Sequence, residues 1–96
     1  KLLVHDDRNP VQVESELVFD GEDIEIAFTL YEYRIVKVEG NEITSAFYEI
    51  SGNRVIIDKN YLSRKFAEAG RTTLVLSCQF STDQKHFLSY IFISKR

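Results

Sequence analysis

Apolar and polar residues alternate along most of this chain. Ile24, Ile26, Phe28 and Leu30 alternate with Glu25, Ala27, Thr29 and Tyr31, the period-two signature of a strand with one buried and one wet face. Residues 34–38 predict a second strand, stopped by Glu39-Gly40-Asn41, and Ser45 to Ile50 a short third. Ser51-Gly52-Asn53 reads as a tight turn, since Gly and Asn tolerate positive φ, and Arg54 to Asp58 as its hairpin partner, with a β-branched centre at Val55, Ile56 and Ile57. Thr72 to Phe80 resumes the alternation, with Leu74, Leu76, Cys78 and Phe80 on one face. After a turn at 82–85, His86 to Ser94 is the last strand. Val11 and Val13 alternate with Gln12 and Glu14 as a short early strand, and Phe19 to Asp23 reads as a turn.

Residues 58–70 break this pattern. Asp58 is a helix cap, Leu62 and Phe66 lie four apart, and Gly70 ends the segment, predicting one or two helical turns. About seven short strands, spaced about ten residues apart with one helical interruption, predict an all-β, immunoglobulin-like sandwich. The two sheets would bury their apolar faces against each other across about 10 Å.

Length and composition narrow this reading without naming a function. Ninety-six residues make one domain, 1–96, with residues 1–10 read as a linker or edge strand. With 44% hydrophobic and 28% charged residues, the chain is neither collagen-like nor disordered. Its apolar runs are too short to span a bilayer. The chain has no methionine, even at position 1, so it is expected to be a module of a longer polypeptide. The net charge is −3, but residues 1–49 carry −8 and residues 50–96 carry +5. The acidic half would repel a polyanion, and the basic half has no recognisable stacking pattern, so nucleic acid is not an expected partner. The opposite charges are expected to meet across the sheet surfaces.

From residue 47 onward a more specific pattern emerges. Phe47-Tyr48-Glu49-Ile50-Ser51-Gly52-Asn53-Arg54, then Tyr61-Leu62, then Gly70, then Leu74-x-Leu76-x-Cys78-x-Phe80-Ser81 resembles the immunoglobulin-like X-two module family, also called carbohydrate-binding domain X-two. The family's Tyr-x-Val-Ser-Gly-Asn turn falls on Tyr48, Ser51, Gly52 and Asn53, with Ile50 in place of valine. The match covers residues ~17–93 and is most specific at 47–81. This chain departs from the family at Phe47, where an Asp is usual, in the longer and more charged stretch 63–69, and at Thr82-Asp83, where a glycine is expected. Such modules recur in cellulosomal scaffold proteins and secreted bacterial cellulases. The resemblance implies a non-catalytic accessory module that is extracellular or at the cell surface. Its implied partners are neighbouring domains of the parent chain, with weak contact to cellulose, xyloglucan or cell-wall polysaccharide. An adhesion or protein-interaction domain is the alternative, as many sandwiches are.

Candidate chemistry is sparse. Acidic pairs such as Glu22 with Asp23, or Glu39 with Glu42, flank turns, where exposed carboxylates are the norm. No catalytic constellation and no cofactor are expected. Cys78 sits on an apolar strand face, where a cysteine acts as a small hydrophobe, and it has neither His5 nor His86 at a ligand spacing. No metal site is expected, and Asp20-Gly21-Glu22-Asp23 lacks the spacing of a Ca²⁺ loop. For sugar binding, Tyr31 and Tyr33 bracket Glu32 at a predicted tip. Residues two apart share one face of extended chain, so the two rings form the candidate stacking platform. Tyr48, Gly52, Asn53, Tyr61, Leu62, Gly70, Cys78 and Phe80 are assigned to structure. The Tyr61 hydroxyl is expected to tie down the connection into the next strand, as tyrosine corners do. Phe47 fits either contact with a neighbouring domain or a core position in a shifted register.

Overall fold

The computed structural model describes residues 8–96. The proposed segment 1–10 therefore lies mostly outside the described residues, as does His5. Eight strands and one helix follow in order. They are β1 (Val11–Gln12), β2 (Leu17–Phe19), β3 (Ile24–Thr29), β4 (Arg34–Glu39), β5 (Tyr48–Ser51), β6 (Arg54–Ile57), α1 (Lys59–Phe66), β7 (Thr73–Ser81) and β8 (His86–Lys95).

These strands form two four-stranded sheets, ordered β1-β3-β6-β5 and β2-β8-β7-β4. The first is the A-B-E-D order of an immunoglobulin sandwich and the β8-β7-β4 part of the second is its G-F-C order. The chain is an all-β, immunoglobulin-like sandwich. The predicted count of about seven strands missed β2. That strand has only three residues, and it pairs parallel to the distant β8, with Leu17 opposite Ile93 and Val18 opposite Ser94. The N-terminal region thus crosses from one sheet at β1 to the other at β2.

The alternation seen in the sequence is the core. Ile26, Phe28, Val55, Ile57, Leu74, Leu76, Cys78, Phe80, Ile91 and Ile93 are buried between the sheets. Phe28 meets Phe80 edge-on at 5.0 Å, Phe80 lies 6.1 Å from Phe87, and Phe87 lies 6.2 Å from Tyr33. This row of rings runs from the core to the end of the sandwich where β3 turns into β4.

The β5–β6 hairpin closes through Gly52-Asn53. Gly52 has φ +61°, whereas Asn53 does not have positive φ. Glycine at the first central position is the pattern of a type II′ turn, whose twist suits a hairpin. Asn53 then extends the neighbouring strand pair: its Nδ2 donates to the Phe28 carbonyl at 3.0 Å, and its own carbonyl accepts from the Phe28 N–H at 2.9 Å.

The two-turn helix α1 starts at Asp58, whose carboxylate accepts from the Asn60 and Tyr61 N–H groups. This satisfies two donors that a helix leaves orphaned at its start. Tyr61, Leu62 and Phe66 face the core, and Phe66 stacks on Phe19 of β2 at 5.7 Å. The chain then turns at 68–71, where Gly70 at φ +76° takes the position that favours glycine in a type II turn.

Candidate functional site

The three residues proposed as a sugar platform do not share a face. Tyr31 has φ +56° and is 37% exposed, whereas Tyr33 is buried at 6%. The i, i+2 rule holds for extended backbone, but 31–32 form a turn, closed by the Tyr33 N–H donating to the Leu30 carbonyl at 2.9 Å. Tyr33 swings inward to meet Phe87, with its hydroxyl 3.5 Å from Asn9 Oδ1. The Tyr31 ring lies under the Arg8 guanidinium at 4.2 Å, and Glu32 is exposed between the two tyrosines. Tyr31 and Tyr33 therefore form no paired platform.

Tyr61 is tied down, but to a different element from the one predicted. Its hydroxyl donates to the Asn41 carbonyl at 2.7 Å, which binds α1 to the loop after β4 instead of to the connection into β7. That loop needs holding, because Asn41 and Glu42 both have positive φ, a conformation costly outside glycine. Asn41 Nδ2 also donates to the Val75 carbonyl at 2.6 Å, and Lys65 Nζ donates to Glu42. Phe47 stacks on Tyr61 at 5.3 Å with the Arg64 guanidinium above it, so it packs within this module. Tyr48 also joins the sheets: its hydroxyl accepts the Val38 N–H at 3.1 Å.

Three of the four acids in these pairs are held by structure, and Glu22 is exposed. Asp23 accepts the Lys59 N–H at 2.8 Å, Glu39 accepts from Gln79 and pairs with Lys37, and Glu42 pairs with Lys65. Bonding to Glu42, then Glu68, raises the pKa of Lys65, while Arg71 and then Lys65 lower that of Glu68. Arg54–Glu25, Lys65–Glu42 and Arg34–Asp83 join the acidic and basic halves of the chain. Among the described residues, no three His, Cys, Asp or Glu side chains are grouped to hold a metal ion.

Cys78 is fully buried beside Leu76 and Phe80, and burial pushes its thiol up to about 12. Only the thiolate attacks disulfide reagents. We therefore expect Cys78 to resist such reagents in native protein up to about pH 10 and to react fully in urea. Rapid native labelling at neutral pH would show that the β7 core opens locally.

The surface feature that sequence reasoning passed over is the outer face of the β2-β8-β7-β4 sheet. Leu88, Tyr90 and Phe92 project from β8 at 45%, 57% and 59% exposure. Val75 lies across from Phe92, and Val18 and Val36 are exposed on the flanking strands. Comparison with family models, curated proteins and solved structures finds no match. The face is therefore interpreted from its own chemistry. Leu88, Tyr90, Phe92 and Val75 thus form an exposed apolar patch on adjacent strands, and exposed apolar patches often mark contact sites. Next to it lies an open groove of about 840 Å³ between Val36 and Lys37 on β4 and His86 and Leu88 on β8, floored by Gln79 and Ser81. A bulge between Ile35 and Lys37 shapes its β4 wall. No carboxylate lines this groove. The sequence did carry a signal: residues 86–94 are apolar at both parities, at Phe87, Ile91 and Ile93 and again at Leu88, Tyr90 and Phe92.

Proposed function

We propose that this chain is a non-catalytic accessory module of a secreted bacterial polysaccharide hydrolase of the cellulase type. It spaces or stabilises its neighbouring domains and touches polysaccharide weakly. The observation that carries this reading is the coincidence of motif and architecture. The turn at Gly52-Asn53, the Tyr61-Leu62 pair and the strand ending at Phe80-Ser81, which resemble the X-two family, fall on the β5–β6 hairpin, α1 and β7 of an immunoglobulin-like sandwich. Polysaccharide contact falls on the outer sheet face and not on the 31–33 turn. Tyr90 and Phe92, about 7 Å apart along one strand face, expose rings able to stack on pyranose rings while the exposed Ser94 offers a hydroxyl. The second reading is an adhesion or protein-interaction domain, which the exposed apolar β8 favours equally in chemical terms.

Affinity electrophoresis in xyloglucan and pull-down on cellulose test the first reading. Retardation or depletion is expected for the native chain, and loss of both for Tyr90→Ala with Phe92→Ala at unchanged melting temperature. A native chain that neither migrates more slowly nor leaves solution overturns polysaccharide contact.

A further inference from the structure

We propose that the free edge of β8 pairs with the same edge of a second copy of this chain, joining two sheets into one. This inference goes beyond the accessory-module reading and does not depend on it. Along one side, β8 pairs with β7 from His86 to Ser94. Along the other side, β2 covers only Ile93 to Lys95. Among the described residues, no strand pairs with the outer side of His86–Phe92. Among the described residues, its edge backbone groups are thus left for another extended chain. Native edges are usually blunted by lysines, prolines, bulges or short length. This edge has none of these: no charged side chain and no proline lies between His86 and Ser94, and the strand is regular against β7.

Two observations select a second copy as the occupant. The first is self-complementarity. A two-fold axis through Ser89 pairs residues 86–92 antiparallel with their equivalents, so Leu88 of each copy lies opposite Tyr90 of the other. The two exposed apolar rows then merge into one, with no charges facing each other along the seam. The second is charge at the ends of the seam. His86 would lie opposite Phe92 of the other copy, so Lys85 arrives at the segment leading into the other copy's β2. That segment exposes Glu14 and Glu16. No ion pair involves Lys85, Glu14 or Glu16 within the described residues. Lys85 of one copy therefore meets the acidic segment of the other, in both directions at once, while Asp83 of the same turn is turned to Arg34. Because β2 limits the pairing to about seven residues, the interface sits at the small, reversible end of the size range.

Sedimentation velocity of the full 96-residue chain, without sugar and across roughly 10 µM to 1 mM, tests this pairing. We expect a reversible shift from monomer to dimer. Tyr90→Lys should weaken it at least tenfold, with no change in melting temperature. Lys85→Glu or Glu16→Lys alone should weaken it about two- to fivefold, in line with an exposed ion pair. The two together should restore it. That rescue separates edge pairing from stacking of two apolar faces, and it leaves the proposed sugar-binding rings intact. A monomer at every concentration overturns the proposal. So does a dimer indifferent to the Lys85–Glu16 exchange, or an edge filled only when a foreign extended peptide is added.

Discussion

Replacing Phe80 by alanine is expected to cost about 3–5 kcal/mol, the usual penalty for emptying a fully buried phenylalanine site. The side chain is 1% exposed and stands between Phe28 of the opposite sheet and Phe87 of the adjacent strand. Its removal separates the two sheets locally and breaks the row of rings that ends at Tyr33. Edge-on aromatic pairs add about 0.5–1.5 kcal/mol beyond area burial, so the upper half of that range is expected. A domain of this size has roughly 5–15 kcal/mol of stability in total, so the variant should unfold at much lower urea. A loss below 1 kcal/mol would mean that neighbouring side chains collapse into the space and that the ring row has no structural weight.

Tyr61 is the second position of large effect, and two substitutions there separate its two contributions. Tyr61→Phe keeps the stack on Phe47 and removes only the hydrogen bond to the Asn41 carbonyl, for an expected loss of about 1 kcal/mol. Tyr61→Ala also empties a site that is 1% exposed, raising the expected loss to about 3–5 kcal/mol. The difference between the two variants is then the worth of the ring, and the smaller loss that of the latch. Urea denaturation measures both. Equal losses would refute this division, and no loss for Tyr61→Phe would show that Lys65 and the Asn41 side chain hold the loop without the hydroxyl.

Local pattern was enough to find most of this sandwich. The alternation at 24–30, at 54–57 and at 72–80 reports burial directly, because one face of each strand meets the opposite sheet. Asp58 and Gly70 mark the limits of the helical break by their own chemistry, as a carboxylate cap and as a residue at home at positive φ. Failures came where a residue's role depends on distant contacts or on a turn. β2 exists because residues 93–95 offer it a partner, which three residues, Leu17 to Phe19, cannot announce. Tyr33 points inward because the turn at 31–32 breaks the strand alternation, and its direction is set by Phe87, far along the chain. The Tyr61 hydroxyl was expected to act on its own connection, but the strained turn at Asn41-Glu42 lies within its reach. The apolar outer face of β8 was visible in residues 86–94, yet alternation sorts positions into two faces without saying that both are apolar for different reasons.

The parallel pairing of β2 with β8 has a mechanical consequence. The chain enters β2 from one end of the sandwich and leaves β8 toward the other, and the Arg96 N–H also donates to the Phe19 carbonyl at 3.1 Å. Tension between the flanks of the module would drag these two strands past each other along their shared axis. Their hydrogen bonds would then be strained together in shear, not peeled open one by one, so this short seam resists extension once β1 has left β3.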